Sequence, residues 1–191
     1  MILSKLSDLC DIRSGYSFRG KIEESKDSEY KVVLAKDLAP FTGIDFGSLI
    51  HADYSGRNDE VLLRDEDILC IGNGPRLYSA VIRDVPENVV PSSHIWIMRL
   101  KSNVISNDYL SWSLNHSQKY FQSMSQGATV GHINRKMLES MEINVPDLQT
   151  QKNIVELENL LIKEKEVFSA LIERREKLIN QIQKELGNSR R

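Results

Sequence analysis

Pro146-Asp147-Leu148-Gln149-Thr150-Gln151 opens a stretch that runs to Leu186 without another Gly or Pro, Gly187 being the next breaker. Asp147 or Thr150 is placed to cap the free amides of a first helical turn, and Gly187 suits a helix end. Inside, Ile154, Leu157, Leu161, Phe168, Leu171, Leu178 and Ile182 recur at alternating steps of three and four, interrupted by Glu164 and Arg175. That spacing is the seam of a coiled coil. Leu160, Val167, Ile172, Ile179 and Leu186 widen the apolar stripe, which predicts burial against more than one neighbour. Lys163-Glu164-Lys165-Glu166 and Glu173-Arg174-Arg175-Glu176-Lys177 read as a solvated face with ion pairs across one turn. At 1.5 Å per residue, about 36 helical residues reach roughly 54 Å, more than a small globular domain needs. Such an element wants a partner helix.

Working outward, 191 residues suffice for one domain of ordinary size plus this helix. The expected division is a globular head at 1–146, the helix at 147–187 and a disordered tail at 188–191. With 40% hydrophobic and 27% charged residues the composition is that of a soluble globular protein. No apolar run approaches a membrane span, and Met1-Ile2-Leu3-Ser4-Lys5 lacks the apolar core of a signal peptide, so a cytoplasmic protein away from the membrane is expected. Cys10 and Cys70 lack the paired spacing of a zinc site and read as reduced, partly buried thiols. Up to Pro146 there are 16 Lys and Arg against 19 Asp and Glu, and 9 against 8 beyond it, which together make the net charge of −2. A protein that coats DNA generally would be strongly basic. Any nucleic-acid contact here must use a local patch or the charge of another subunit.

The head reads as α+β. Leu3 to Ile12 is a short helical turn or a strand, ending in the loop Arg13-Ser14-Gly15-Tyr16-Ser17-Phe18-Arg19-Gly20-Lys21. That loop is either a surface turn with Tyr16 and Phe18 packed inward or a basic loop that meets phosphate or bases. Tyr30 to Leu34 is a strand, Ala35 to Pro40 a turn or short helix stopped by proline, and Phe46 to Ala52 a further strand. Asp53 to Asp59 is a polar loop. Asp67 to Ile71 and Leu77 to Arg83 are strands joined by the turn signal Gly72-Asn73-Gly74-Pro75, hence a hairpin. Pro91 to Leu100 is the most strand-like segment, with Trp96, Met98 and Leu100 on one face and Ile95, Ile97 and Arg99 on the other. Ser106 or Asn107 caps a helix running through Tyr120 and Phe121. Gly127 to Lys136 is a turn into a short helix, Lys136 to Ser140, and Met141 to Val145 is a last strand. Strands and helices segregate irregularly, which argues against a doubly wound sheet.

Signals of catalysis are sparse. There is no phosphate loop ending in Gly-Lys-Ser/Thr, no Gly-x-Gly-x-x-Gly, and no Asn-Pro-Pro-Tyr-like run for methyl transfer. His51, His94, His116 and His132 show no metal-ligand spacing. Asp65-Glu66-Asp67 is either a metal cluster or a solvated turn before a buried strand. Asp11 with Glu29 and Lys31 resembles the carboxylates-plus-lysine pattern of a metal-dependent nuclease.

Several stretches together are more specific. Leu6-Ser7-Asp8-Leu9-Cys10-Asp11-Ile12-Arg13-Ser14-Gly15 resembles the opening of a target recognition domain from the specificity subunit of type I restriction–modification systems. Asp67-Ile68-Leu69-Cys70 sits where that family has a strand before a Gly turn. Gly127-Ala128-Thr129-Val130-Gly131-His132-Ile133-Asn134, then Ile143-Asn144-Val145-Pro146-Asp147-Leu148-Gln149-Thr150-Gln151, resembles the family's Gly-x-Thr turn and its Pro-Pro-Leu-x-x-Gln run into a spacer helix. Asp147 stands where the second proline is usual. The resemblance implies a non-catalytic, DNA-reading subunit resembling half of a full specificity subunit, and a homodimer with antiparallel helices reading a bipartite double-stranded site. It implies a methyltransferase partner that carries S-adenosylmethionine, leaves open a restriction subunit, and places no cofactor or metal on this chain. It does not say which residues read bases. Polar residues on the expected loops are the candidates: Arg13, Arg19 and Lys21; Arg57; Asn73 and Arg76; Asn134, Arg135 and Lys136. Arginine suits guanine and asparagine adenine, whereas lysine more often meets phosphate. A solvated surface role competes at each position. Two other readings stay open: a coiled-coil adaptor without DNA contact, and a small nuclease built on Asp11, Glu29 and Lys31.

Overall fold

The computed structural model describes residues 2–39, 43–56, 59–73, 76–117 and 133–188, with backbone alone at 73, 76 and 186–188. They form a mixed α+β head and a long C-terminal helix. Nine strands are described: β1 (Ile2–Lys5), β2 (Cys10–Ser14), β3 (Lys31–Val33), β4 (Ile50–His51), β5 (Ile68–Asn73), β6 (Arg76–Val81), β7 (Val89–Pro91), β8 (Ile95–Leu100) and β9 (Glu142–Val145). The helices are α1 (Leu6–Leu9), α2 (Asn107–His116), α3 (Arg135–Glu139) and α4 (Leu148–Asn188). Two compact units result, Met1–Gln151 and Lys152–Arg191.

A four-stranded antiparallel sheet in the order β2-β8-β5-β6 centres the head. β8 lies between two neighbours, and its Ile95, Ile97 and Met98 are each at most 1% exposed. One face packs on the three-stranded sheet β4-β3-β7, in which β3 runs parallel to β7 and antiparallel to β4. Leu69, Ile71, Ala80, Ile95 and Ile97 meet Val33 and Val89 there, with Leu38, Leu49 and Leu63 from the loops. On the opposite face Ile12, Met98 and Ile68 stand in register and are buried. α2 lies against β6 and α3 against β2. β1 and β9 zip antiparallel and bring the two ends of the head together.

Edges and buried polar groups are managed locally. β6 is an outer strand, and the Asn115 carboxamide pairs with both backbone groups of Ser79, at 2.8 and 2.9 Å, where another chain could otherwise add. Asp67, 2% exposed, accepts from Arg99 Nε at 2.6 Å and from the Arg64 amide at 3.0 Å. Arg99 also donates to the carbonyls of Glu60 and Leu62. The acids at 65–67 divide: Asp65 and Glu66 lie exposed in a turn before β5, and Asp67 is buried against Arg99. Asp65 caps the Val85 amide, and Glu66 holds Arg83 and Asn107. Both cysteines are buried, and loss of hydration pushes the Cys10 thiol up to about 12 and the Cys70 thiol higher still.

Three expectations shift. The strand over Phe46 to Ala52 shrinks to Ile50–His51, because Asp45 turns the chain by accepting from the Gly47 amide. The strand over Pro91 to Leu100 is broken by a turn at Ser93–His94 into β7 and β8, which belong to different sheets. The long helix continues through Gly187 to Asn188. Tyr120, Phe121 and the Gly127–His132 turn lie outside the described residues.

The Pro146–Gln151 run is explained atom by atom. Asp147 is the cap: its Oδ1 accepts from the Thr150 amide at 3.0 Å and its Oδ2 from the Thr150 hydroxyl at 2.7 Å. Gln151 is fully buried, with Oε1 accepting from the Ser106 amide and Nε2 donating to the carbonyls of Val104 and Pro146. Ser106 in turn caps α2 through the Tyr109 amide. The first turn of α4 is thus built into the head. Beyond it, Leu157, Leu160, Leu161, Val167, Phe168, Leu171, Ile172, Leu178, Ile179 and Ile182 are each 42–67% exposed, whereas Ile154 is half-buried. No helix among the described residues is long and apolar enough to cross a membrane.

Candidate nucleic-acid interface

Ion pairing sorts the candidate cations. Arg13, half-buried on β2, is held by Glu60. Arg135 pairs with Glu139 one turn along α3 at 2.7 Å. Asn134 caps that helix, its Oδ1 accepting from the Met137 amide at 3.0 Å. Arg19, Lys21 and Lys136 are exposed. Asn73 and Arg76 face each other across the last rung of the β5–β6 hairpin, described as backbone only. Arg57 lies outside the described residues. The nuclease set is spent differently: Lys101 approaches Asp11 at 3.5 Å, and Lys31 donates to the Phe46 carbonyl at 3.1 Å. Among the described residues no group of three His, Cys, Asp or Glu could hold a metal.

Among the concavities of the head, two gather residues from separate segments. The first, about 480 Å³, brings Arg19 and Lys21 together with Tyr16, Phe18, Asp53 and Ser55. Its aromatic wall is ordered: Tyr16 meets Phe18 and Tyr54 edge-on at 4.8 Å each, and Tyr54 meets Tyr30 at 5.0 Å. The Tyr16 hydroxyl lies 3.0 Å from Ser55 Oγ, which ties the two loops. Gly15 permits this arrangement, since a Cβ there would lie 2.3 Å from the carbonyls of Pro91 and Ser92. Tyr16 and Phe18 are half-buried and line the cavity together with the exposed Arg19 and Lys21.

The second concavity, about 490 Å³, lies where β5 ends and β8 begins, and Lys36, Ser93, His94, Trp96, Gly72 and Ile133 line it. A Cβ on Gly72 would fall 2.5 Å from the Ile133 side chain, so the hairpin end and the segment before α3 are pressed together. Lys36, Ser93 and Trp96 line this cavity, and Asp53 and Ser55 the first, without having been singled out in the sequence. His94 was visible only as one of four scattered histidines. Residues gathered from four separate segments leave no local spacing to read.

The sequence model of the type I restriction modification DNA specificity domain matches residues 3–184, head and helix alike. The chain belongs to that family. Over 100 residues, 52% of this chain, it is 24% identical to the type I restriction enzyme MjaVIII specificity subunit of Methanocaldococcus jannaschii, of which it spans 23%. The crystal structure of the HsdS subunit from Thermoanaerobacter tengcongensis matches with a TM-score of 0.61 at 16% identity, over 85% of this chain and 37% of that one. The type I restriction–modification S subunit from M. genitalium matches with a TM-score of 0.55 at 16% identity, over 92% of this chain and 42% of the other. At that identity the two structures establish for this specificity-domain chain a shared fold. It spans well under half the length of each relative.

Proposed function

We propose that this chain selects DNA sequence for a methyltransferase it does not itself contain. The head at 1–146 reads one half of a bipartite duplex site in the cytoplasm. The helix at 147–187 pairs antiparallel with that of a second copy and so fixes the distance between the halves. The methyltransferase subunit brings S-adenosylmethionine, and a restriction subunit, where one exists, joins the same assembly. The observation that carries this reading is the family match running through head and helix together. The row of exposed leucine, isoleucine, valine and phenylalanine on α4, interrupted at Glu164 and Arg175, supports pairing, since apolar patches of this kind mark interaction surfaces. A two-fold pair presents the same row twice, and Lys163-Glu164-Lys165-Glu166 beside it offers both charges to an antiparallel copy. In the 41-residue helix, about 61 Å at 1.5 Å per residue, there is length enough to span a DNA turn of about 34–36 Å.

The test is a methylation map of a bacterial host that expresses the chain with its cognate methyltransferase subunit. A split, palindromic methylated motif is expected, and replacing the head by that of another family member should change it. An unchanged motif after head exchange would sink the DNA-reading role and leave the adaptor reading standing.

A further inference from the structure

The two concavities differ in charge. The first sets Arg19 and Lys21 against Glu23 and Asp53, so donors and acceptors line it together. Base edges present both. The second has Lys36, Ser93, His94 and the Trp96 indole as its polar groups, and no carboxylate among the described residues that line it. Asp37, the acid next to Lys36, is engaged with the Leu34 amide at 2.9 Å. Five other head cations are paired with carboxylates: Arg13 with Glu60, Arg83 with Glu66 and Asp108, Arg99 with Asp67, Lys101 with Asp11 and Arg135 with Glu139. Among the described residues Lys36 has no such partner. The backbone that carries Ser93 and His94 is fastened on three sides. The Ser92 amide donates to Val33 O at 2.8 Å, the Tyr16 amide to Pro91 O at 2.8 Å, and the Ile95 amide closes the turn on Ser92 O at 2.9 Å. A lysine with a hydroxyl and an imidazole that can donate, on a fixed turn, suits an anion, and the anion that DNA offers beside its bases is a phosphodiester.

We propose that this second cavity seats one backbone phosphodiester of the target duplex, with Lys36 as charge partner and Ser93 Oγ and the His94 ring as donors. The neighbouring cavity is thereby registered on the base edges. The proposal rests on the DNA-reading role above and names the interaction that positions it. Bases are read elsewhere; this seat holds the strand.

The experiment uses the full chain with its methyltransferase subunit and duplexes bearing the mapped motif or a scrambled one, titrated at several salt concentrations. In Lys36→Ala/His94→Ala, affinity for both duplexes should fall by the same factor, and the slope of log affinity against log salt should lessen by about 0.9 for each phosphate no longer neutralised. The methylated motif should not change. Lys101→Ala, beyond the far end of β8, should leave affinity and slope as they were. A duplex with one neutral methylphosphonate linkage, moved along the site, should weaken the unaltered complex at one position and leave the double variant indifferent there. Unaltered slope and affinity in the double variant, or a changed motif, would overturn the proposal while the unaltered complex still binds its target. A complex that prefers no duplex at all would instead overturn the DNA-reading role on which it rests.

Discussion

The head and the helix beyond Gln151 solve the problem of apolar surface in opposite ways. In the head, both faces of β5 and β8 are covered, and among the described residues every buried side-chain nitrogen or oxygen has a partner. On α4 ten large apolar side chains between Leu157 and Ile182 stay 42–67% exposed. Sequence pattern alone marks both as hydrophobic. What separates them is whether the described residues supply the opposing surface, and on the helix beyond Gln151 the stripe stays exposed.

Two substitutions of the same residue type break this contrast most sharply. Leu69→Ala removes a fully buried side chain from the layer between the sheets. It should cost about 2–5 kcal/mol of unfolding stability, read by chemical denaturation. Leu171→Glu, on the open stripe, should leave the head's unfolding within about 0.5 kcal/mol of the original. Its effect belongs to association. Losing a leucine from each of two copies removes about 3 kcal/mol or more, so sedimentation should show a dimer at least about 100-fold weaker. Leu161→Glu should behave alike. Equal loss of head stability in the leucine-to-glutamate variants would mean that the stripe is structural in the single chain.

Gln151 tests where the two regions meet. Removing its carboxamide in Gln151→Ala strands the Ser106 amide and the carbonyls of Val104 and Pro146. The cost should be about 1–3 kcal/mol. Gln151→Glu keeps the acceptor for Ser106 but turns an oxygen on both carbonyls, so at neutral pH it should destabilise more than alanine does. Hydrogen exchange at the Ser106 amide should quicken in the alanine variant and not in one altered at Leu171.

The same division accounts for what the sequence made legible. The helix could be read because its signals are local: an uninterrupted run, a capping aspartate and a three-four apolar rhythm. The β5–β6 hairpin was equally plain from Gly72-Asn73-Gly74-Pro75. Pairings set by tertiary packing were not. Nothing near Lys31 announces a parallel partner at Val89, nothing in Asp65-Glu66-Asp67 tells a metal site from an Arg99 clamp, and Lys36 and His94 become neighbours only when β3 and β7 lie side by side. Loop chemistry singled out Arg19 and Lys21, but not Asp53 and Ser55, which line the same cavity. Asn134 was picked for its amide, which the structure uses to cap α3.

The smallest effect lies at Asp147, the residue that departs from the family's proline. The Thr150 hydroxyl, and after it the Thr150 amide, hold the Asp147 carboxylate below its ordinary range. A group whose folded pKa is lowered contributes stability at pH above its unfolded value and loses it as pH falls through the folded one. Protection of the Thr150 amide against hydrogen exchange should therefore be full at neutral pH and decline only once pH drops below the usual carboxylate range. Asp147→Ala should show the reduced protection at every pH, and Asp147→Asn, which still accepts at the cap, should keep part of it without the pH dependence. Because the cap belongs to the head's own hydrogen bonds, Leu171→Glu should leave this titration where it is. A shift on dimer disruption would mean that pairing along the stripe orders the first turn as well, and the independence of the two regions would fail at the one place where the chain joins them.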